Sequence, residues 1–248
     1  MLTGVWQRSI KNMSQDICIS VERVGIEFRN RLSLRKKPPF VALENVSFDI
    51  HKGEVLGLIG RNGAGKSSLL RAIAGTLAPD RGRIVNHGYS VALLALALGF
   101  DQRLSGRDNA ILSGLLMGLD LREAKANLDQ IIEFSELGSF IDKPIRTYSA
   151  GMRTRLGFSI ALHLQPGVLL IDEVLGVGDA EFRKKSNQAL RAKIQSDQTV
   201  VLVSHDAGVM KQLCHRIVWI ENGITRRIGN PAEVLADYED YITRHSNP

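Results

Sequence analysis

The segment Gly60-Arg61-Asn62-Gly63-Ala64-Gly65-Lys66-Ser67 has the spacing G-x-x-x-x-G-K-S, which suits a loop that binds phosphate groups. Its glycines let the backbone curl so that successive N–H groups point at the β- and γ-phosphates, and a following helix adds its positive dipole end. Lys66 supplies a point charge, and the Ser67 hydroxyl is placed to ligate Mg²⁺. The apolar run Val55–Ile59 precedes the segment and an amphipathic pattern over Ser68–Ala74 follows it. This context predicts a P-loop rather than an incidental glycine-rich turn.

Two carboxylates end a second apolar run, Val168–Ile171, at Asp172 and Glu173. In open parallel sheets, ligands bind beyond the carboxyl ends of the strands, so both carboxylates are expected beside the P-loop. Asp172 would hold Mg²⁺ through its water shell. Glu173 would orient an attacking water or accept its proton, a role worth typically ~10²–10⁴-fold in rate. The simpler alternative is an exposed acidic pair at the end of a strand.

A second candidate anion site is Tyr148-Ser149-Ala150-Gly151-Met152, at the start of a predicted helix over Ala150–His163. Ser149 is well placed as the N-cap of this helix, and a capped helix is a sufficient explanation. The same hydroxyl, glycine backbone and helix N-terminus would also bind a γ-phosphate. The local residues alone leave both interpretations open.

The elements that would position these residues form an α/β pattern. Alternating apolar residues predict strands over Ile17–Phe28 and around Val46–Ile50. Continuously apolar runs predict parallel strands that are buried on both faces, at Val55–Ile59, Val168–Ile171 and Val200–Val203. The long segment between the first two runs predicts helices over Ser105–Leu121 and Arg122–Leu137, and Pro231–Ile242 predicts a last helix. The architecture expected is an α/β core with a helical insertion.

Composition excludes several classes of protein. The chain has 248 residues, of which 44% are hydrophobic and 23% charged, so a globular core is expected rather than disorder. The longest apolar run, Val91–Leu98, is far shorter than the roughly 20 residues that a membrane-spanning helix needs. The two cysteines, Cys18 and Cys214, are too few for a disulfide framework, which favours a reducing cytosol.

The net charge of +6 is uneven: residues 1–40 carry 8 basic and 3 acidic side chains, and the remainder carry 24 and 23. A near-neutral remainder argues against a nucleic-acid binder. The basic segment Arg29–Lys37 is either a solvated loop or a contact to anionic lipid headgroups or a membrane partner.

Five motifs occur in one order: GRNGAGKS at 60–67, YSAGM at 148–152, LLIDE at 169–173, Asp179 six residues after Glu173, and VSHD at 203–206. In this order and spacing, over about residues 17–248, the chain resembles the ATP-binding cassette (ABC) ATPases. The resemblance implies an α/β P-loop NTPase fold with a mostly parallel core sheet, an antiparallel β subdomain and an inserted helical subdomain. Residues 1–16 are mixed and unpatterned and are expected to form a flexible extension. The resemblance makes 17–248 a single ABC ATPase domain, with core 17–94 and 166–230, helical subdomain 95–165 and C-terminal helix 231–248.

The resemblance also implies a head-to-tail homodimer in which each ATP, with Mg²⁺, lies between the P-loop of one subunit and Ser149–Gly151 of the other. Glu173, His205 and Lys66 would be catalytic, with His205 on the γ-phosphate, and Ser67 and Asp172 would hold the metal. Phe40 would stack on adenine, unless it only packs within the fold. The nucleotide-binding residues expected are Phe40, Gly60, Arg61, Asn62, Gly63, Ala64, Gly65, Lys66, Ser67, Ser68, Ser149, Ala150, Gly151 and Asp179.

Other segments narrow the class. YSAGM followed by Arg153-Thr154-Arg155, DEVLGVGDAEF at 172–182, and LALALGF before SGRDN resemble the members that export O-antigen, capsule or teichoic acid chains. The chain ends soon after Tyr241, as expected for a member without a further carbohydrate-binding domain. Three features depart from the family pattern. Leu94–Leu98 contains no Q-loop glutamine, Gly176-Val177-Gly178-Asp179 replaces the D-loop SALD, and the signature has Ala150 and Met152 where Gly and Gln are usual.

We therefore expect an ATP-hydrolysing exporter subunit, peripheral at the cytoplasmic face of the bacterial inner membrane. It would drive a polysaccharide or glycolipid-linked polymer through a separate integral membrane permease, which would make most contacts with the polymer, and no nucleic acid is expected as a partner. The alternatives are an ABC exporter of another substrate and an ABC-type ATPase acting on nucleic acid or ribosomes. The latter have two fused cassettes or a long coiled coil, whereas this chain has one cassette and no sustained heptads. The presence of both Glu173 and His205 disfavours a scaffold that binds nucleotide without hydrolysis.

Overall fold

The computed structural model describes residues 16–28, 38–94, 100–117, 119–164, 166–172 and 179–245. These residues form two compact units: a first unit drawn from residues 1–89 and 197–248, and a second unit over residues 90–196. The predicted extension over 1–16 lies outside the described residues except for Asp16, and the basic segment Arg29–Lys37 lies outside them entirely.

The strands in chain order are β1 (Ile17–Phe28), β2 (Phe40–His51), β3 (Val55–Ile59), β4 (Arg81–Asn86), β5 (Val91–Leu94), β6 (Val168–Asp172), β7 (Thr199–Val203), β8 (Arg216–Glu221) and β9 (Ile224–Gly229). The α-helices are α1 (Lys66–Ile73), α2 (Gly106–Leu116), α3 (Leu121–Ala126), α4 (Leu128–Ser135), α5 (Ala150–His163), α6 (Ala180–Ile194), α7 (Ala207–Leu213) and α8 (Pro231–His245). Two 3₁₀ turns, Gly138–Asp142 and Ile145–Thr147, lie between α4 and α5.

The first unit is built on a sheet with the strand order β4-β1-β2-β9-β8-β3-β7. Strands β1, β2 and β4 pair antiparallel, and so do β8 and β9. Strand β3 pairs parallel with β7 on one side and with β8 on the other. All five residues of β3 and all five of β7 are buried, as expected for parallel strands that are covered on both faces. Helix α8 packs on β8, where the Trp219 ring meets the edges of Tyr238 and Tyr241 at 5.5 and 5.1 Å between ring centroids.

The second unit combines the parallel pair β5 and β6 with helices α2 to α6. Val91 pairs with Val168 and the register continues to Leu94 and Ile171. A separate apolar core joins the helices through the buried residues Ala110, Leu128, Ile131, Leu137, Ile141, Ile145, Tyr148, Leu156, Ile160 and Leu164. In the part of the chain that the structure describes, we find no helix with both the length and the apolar character needed to cross a bilayer.

The structure confirms several elements and changes others. The bounds predicted for β1, β3 and α5 are those observed, and α8 extends the predicted last helix to His245. Strand β2 is longer than predicted because its first residues pair with β1, with Phe40 opposite Phe28. The second predicted helix of the insertion divides at Asn127 into α3 and α4.

Candidate functional site

The P-loop connects β3 to α1 in the first unit, and its shape depends on glycine. Gly65 has φ +95°, and a Cβ there would lie 2.4 Å from both the Ala42 carbonyl oxygen and the Leu43 side chain. The loop is thereby held against β2. Gly63 also has a positive φ, +84°, yet a Cβ there would meet nothing within 4 Å. The loop is therefore packed on one side and has open space at Gly63.

The N-terminus of α1 fits an anion. Its N-cap, Gly65, has no side chain to bond the first N–H groups, and the first turn contains no acidic residue. Lys66 begins this helix at only 8% exposure, and its ammonium donates to the carbonyl oxygens of Gly60 at 2.7 Å and Arg61 at 3.1 Å. A buried cation beside uncapped helical N–H groups matches the charge and hydrogen-bonding needs of phosphate. This observation tests, and supports, the fit of the loop to a nucleotide phosphate.

The predicted metal-binding residues lie in different units. Ser67, exposed in the first turn of α1, belongs to the first unit, and Asp172, the half-buried last residue of β6, belongs to the second. A hydroxyl and a carboxylate both supply oxygen donors of the kind that Mg²⁺ prefers, so the chemistry of each residue taken by itself fits this ion. The predicted catalytic residue Glu173 lies outside the described residues.

His205 lies in the loop after β7, at the same edge of the sheet at which the P-loop follows β3. It lies two residues beyond β7, whose last residue, Val203, pairs with Leu58 of the parallel strand β3. Gly60 lies two residues beyond Leu58, so the two loops start from matching positions on adjacent strands. His205 is exposed, and the next residue, Asp206, caps α7 and so fixes the loop. The geometry therefore brings His205 and the P-loop to one edge.

Phe40 begins β2 with 62% of its surface exposed. Two residues further on, Ala42 packs against Gly65 of the P-loop. At a rise of ~3.3 Å per residue, Phe40 starts about 7 Å from that contact. An exposed aromatic ring at this distance has the position and accessibility that stacking on a base requires.

The Ser149 segment forms the N-terminus of α5 in the second unit. The Ser149 hydroxyl oxygen accepts a hydrogen bond from the Met152 N–H at 3.1 Å, so the predicted N-cap is confirmed. Tyr148, the residue before Ser149, anchors the segment in the interior of the unit. It is buried, and its hydroxyl donates to the Phe140 carbonyl oxygen at 2.6 Å. Burial raises the pKa of Tyr148, which keeps this donor protonated.

Asp179 lies at an open pocket together with this segment; the pocket is lined by Ser149, Ala150, Gly151, Met152, Thr154, Arg155 and Asp179. Asp179 caps α6 by accepting the Phe182 N–H at 3.0 Å, and its other carboxylate oxygen accepts from Arg155. The Phe182 hydrogen bond first, and Arg155 second, hold the pKa of Asp179 below its ordinary value. The structure thus brings the predicted Ser149–Gly151 and Asp179 together.

Arg155 was absent from the predicted site residues. Helical spacing could have identified it, because Gly151 and Arg155 are four residues apart and share one face of α5.

A family model described as ABC transporter matches residues 43–176, more than half of the chain. The chain belongs to the ABC transporter family. Solved structures agree on the fold. An ATP-binding subunit of an ABC transporter superposes with a TM-score of 0.70 at 22% identity, covering 90% of this chain and 93% of that one. An ATP-binding cassette in a dimeric post-hydrolysis state with ADP and Pi gives 0.67 at 20% identity, covering 86% and 98%. The fold is that of the ABC ATPases.

Three curated ABC relatives carry export names. The O-antigen export system ATP-binding protein RfbB of Klebsiella pneumoniae is 42% identical over 211 residues, 85% of this chain and 86% of that protein. RfbB of Myxococcus xanthus is 43% identical over 215 residues, 87% of this chain and 49% of its own length. The teichoic acids export ATP-binding protein TagH of Lactococcus lactis is 44% identical over 208 residues, which are 84% of this chain and 44% of the length of TagH. The chain therefore spans less than half the length of the last two relatives.

The ABC family match includes the P-loop, Ser149–Gly151 and Asp172. It does not reach Phe40, Asp179 or His205. For those three residues the argument rests on motif order and on the geometry described above.

Proposed function

We propose that this chain is the ATP-hydrolysing subunit of an ABC exporter for a polysaccharide or a glycolipid-linked polymer. The observation that carries the proposal is the uncapped, cation-lined P-loop helix in a chain that is 42% identical to an O-antigen export ATP-binding protein over 86% of that protein. Two such subunits would form a homodimer docked on a separate integral membrane permease, at the cytoplasmic face of the membrane. The permease would make most contacts with the polymer.

Each site residue is assigned one role in this proposal. Lys66 and the N–H groups of the P-loop bind the phosphates, while Phe40 stacks on the base. Ser67 and Asp172 hold Mg²⁺, which when bound neutralises charge on the phosphates. Glu173 orients the attacking water and accepts its proton.

The remaining site residues act at the γ-phosphate. His205 donates to it from the edge shared with the P-loop. Ser149, Ala150 and Gly151 of the partner subunit bind it with the N-terminus of α5, beside Asp179 of that subunit. Because these groups come from both subunits, nucleotide binding closes the dimer and hydrolysis opens it.

A Glu173→Gln variant tests the catalytic assignment. ATP turnover should fall by ~10² or more, because the amide cannot accept the proton, while ATP-dependent dimerisation measured by gel filtration persists. Lys66→Ala is the matched comparison and should lose both ATP binding and dimerisation. Turnover by the Glu173 variant at the rate of the parent would contradict the assignment.

The exporter role needs its own test. Affinity purification from membranes should recover a polytopic membrane protein with this chain, and disruption of the gene should remove a surface polymer that Lys66→Ala cannot restore. Salt-sensitive retention on nucleic acid without a membrane partner would instead favour an ABC ATPase that acts on nucleic acid.

A further inference from the structure

Four charged side chains link three helices of the second unit; we call Glu136, Arg155, Lys185 and Asp179 the charge clamp. Arg155 on α5 donates a hydrogen bond from one guanidinium nitrogen to a Glu136 carboxylate oxygen at 2.9 Å. Its other terminal nitrogen donates to Asp179. Lys185 on α6 donates to the second Glu136 oxygen at 2.6 Å. Glu136, the residue that ends α4, therefore binds cations from two other helices, and Arg155 connects it to Asp179.

The two cations of the clamp rest on aromatic rings. The Arg155 guanidinium lies 4.8 Å from the centre of the Phe182 ring, and the Lys185 ammonium lies 4.5 Å from that of Phe134. These rings meet edge to face at 5.7 Å, and Phe182 is fully buried. The rings restrict the directions in which both cations can point. The clamp is therefore attached to the packed interior of the unit.

Glu136 holds its position in an unusual backbone conformation. It is the C-cap of α4 with φ +55° and ψ +29°, in the left-handed region that residues other than glycine rarely occupy. Glycine would adopt this conformation without strain but would provide no carboxylate. The hydrogen bond from Lys185, and then the charges of both cations, lower the pKa of Glu136, so the carboxylate stays ionised at neutral pH.

Asp179 depends on this arrangement because both of its oxygens are in use. One oxygen caps α6 through the Phe182 N–H, and the other accepts from Arg155. Glu136 and the Phe182 ring together orient the Arg155 guanidinium, and Glu136 is the one of the two that bonds it. Loss of Glu136 would remove the hydrogen-bonding restraint on the far side of the guanidinium and so weaken the hold of Arg155 on Asp179.

We propose that Glu136 is a positioning residue for ATP hydrolysis: it fixes Arg155, which holds Asp179 against the N-terminus of α5. The proposal rests on the proposed function, in which Asp179 and Ser149 bind at the nucleotide of the partner subunit. Glu136 is not among the residues that line the pocket at Ser149 and Asp179, so it would act through Arg155. Removal of Glu136 should therefore lower kcat without weakening nucleotide binding at the P-loop, which belongs to the other unit.

Two substitutions separate positioning from stability. Glu136→Gly removes the carboxylate and also relieves the left-handed strain, so its melting temperature should equal or exceed that of the parent. Glu136→Gln keeps the size and the strain but removes the charge. Both should lower kcat about tenfold or more while the Kd for ATP stays within about twofold, because small misplacements at a composite site are costly.

Asp142→Asn is the matched control. Asp142 forms an ion pair with Arg107 at 2.7 Å in the same unit, and no contact joins that pair to Asp179 among the described residues. The control should retain the kcat of the parent. If Glu136 had a merely structural role, kcat would fall only in variants whose melting temperature also falls, and that result would overturn the proposal. Equal kcat in the parent and both Glu136 variants would overturn it as well.

Hydrogen exchange gives a test that does not need activity. In the nucleotide-free protein, amides in the first turn of α6 (180–184) should exchange faster than in the parent in both Glu136 variants, since Asp179 caps that turn. In Asp142→Asn their exchange rate should equal that of the parent. Unchanged exchange in the Glu136 variants would refute the positioning role even if turnover falls. If the Glu136 variants exchange faster but the parent does not hydrolyse ATP, the proposed function is wrong, whereas the positioning of Asp179 by the charge clamp is supported.

Discussion

Gly65 offers the sharpest quantitative test of the P-loop structure. Gly65→Ala would place a Cβ 2.4 Å from the Ala42 carbonyl oxygen, where real Cβ atoms essentially never lie, at a residue with φ +95°. A left-handed conformation costs an alanine ~1–2 kcal/mol relative to glycine. Because β2 lies against the loop, a further ~1–3 kcal/mol is expected from overpacking.

Gly63→Ala isolates the conformational cost. Gly63 lies in the same loop with a similar φ of +84°, and its Cβ would have open space. This variant should lose only the ~1–2 kcal/mol of the left-handed conformation. The difference between the two variants therefore measures the contact with β2 alone.

Thermal unfolding in the absence of nucleotide measures that difference. Each kcal/mol is worth ~2–4 °C in a domain of 150–250 residues, so Gly65→Ala should melt ~2–12 °C below Gly63→Ala. ATP affinity should fall most in Gly65→Ala, because the first turn of α1 must shift with the loop. Equal melting temperatures for the two variants would refute the packing of the loop on β2.

Three further predictions concern buried charges, thiols and caps. Arg216→Met removes the partner of Glu54, a carboxylate at 1% exposure that pairs with Arg216 at 3.3 Å, and should cost ~3–5 kcal/mol at neutral pH. Since burial raises the pKa of Glu54, its protonation favours the folded state, so the deficit seen by thermal unfolding should shrink as pH falls from about 8 to about 5. Burial raises the pKa of both cysteine thiols, that of Cys214 to about 12, so iodoacetamide should label neither in the folded protein at about pH 8 and both after unfolding, as mass spectrometry would detect. Ser149→Ala and Ser105→Ala each remove an N-cap worth ~1 kcal/mol and should destabilise equally, but only the first should lower ATP turnover; equal turnover would leave Ser149 a cap alone.

The parts of the fold that follow from local pattern could be predicted. Val55–Ile59 is continuously apolar because helices and strands cover both faces of β3, and the structure buries all five residues. Helix α5 has its start at a serine N-cap and its end before Pro166, and both boundaries appear at the predicted residues.

The parts that depend on distant partners could not be predicted in the same way. Strand β2 begins at Phe40 because β1 supplies hydrogen-bonding partners there, and no periodicity in Phe40–Asn45 indicates it. The break at Asn127 divides a continuous helical pattern: with φ −96° and ψ 1°, this residue is both the C-cap of α3 and the N-cap of α4. Pairing with a distant strand decides the case of β2.

The candidate site shows the same division. The P-loop is a contiguous motif, so its residues could be identified from spacing alone. The charge clamp joins residues that lie 19 to 49 positions apart, and each of its members alone is an ordinary surface charge in the sequence. Only the fold brings them together, which is why Arg155 and Glu136 were missed.

The helix termini suggest an order of events under the proposed function. Within the described residues, α2, α3, α5, α6 and α7 begin at side chains that cap their N–H groups, whereas α1 begins at Gly65, and α4 at Asn127, without such a cap. The uncapped terminus of α1 offers its N–H groups to a phosphate at no cost of a displaced bond, and Lys66 adds a charge. At α5 the Ser149 hydroxyl already accepts the Met152 N–H, so a phosphate there gains less. ATP should therefore bind first to the P-loop of one subunit, and the Ser149 segment of the partner should engage afterwards, which makes dimer closure a consequence of binding rather than a requirement for it.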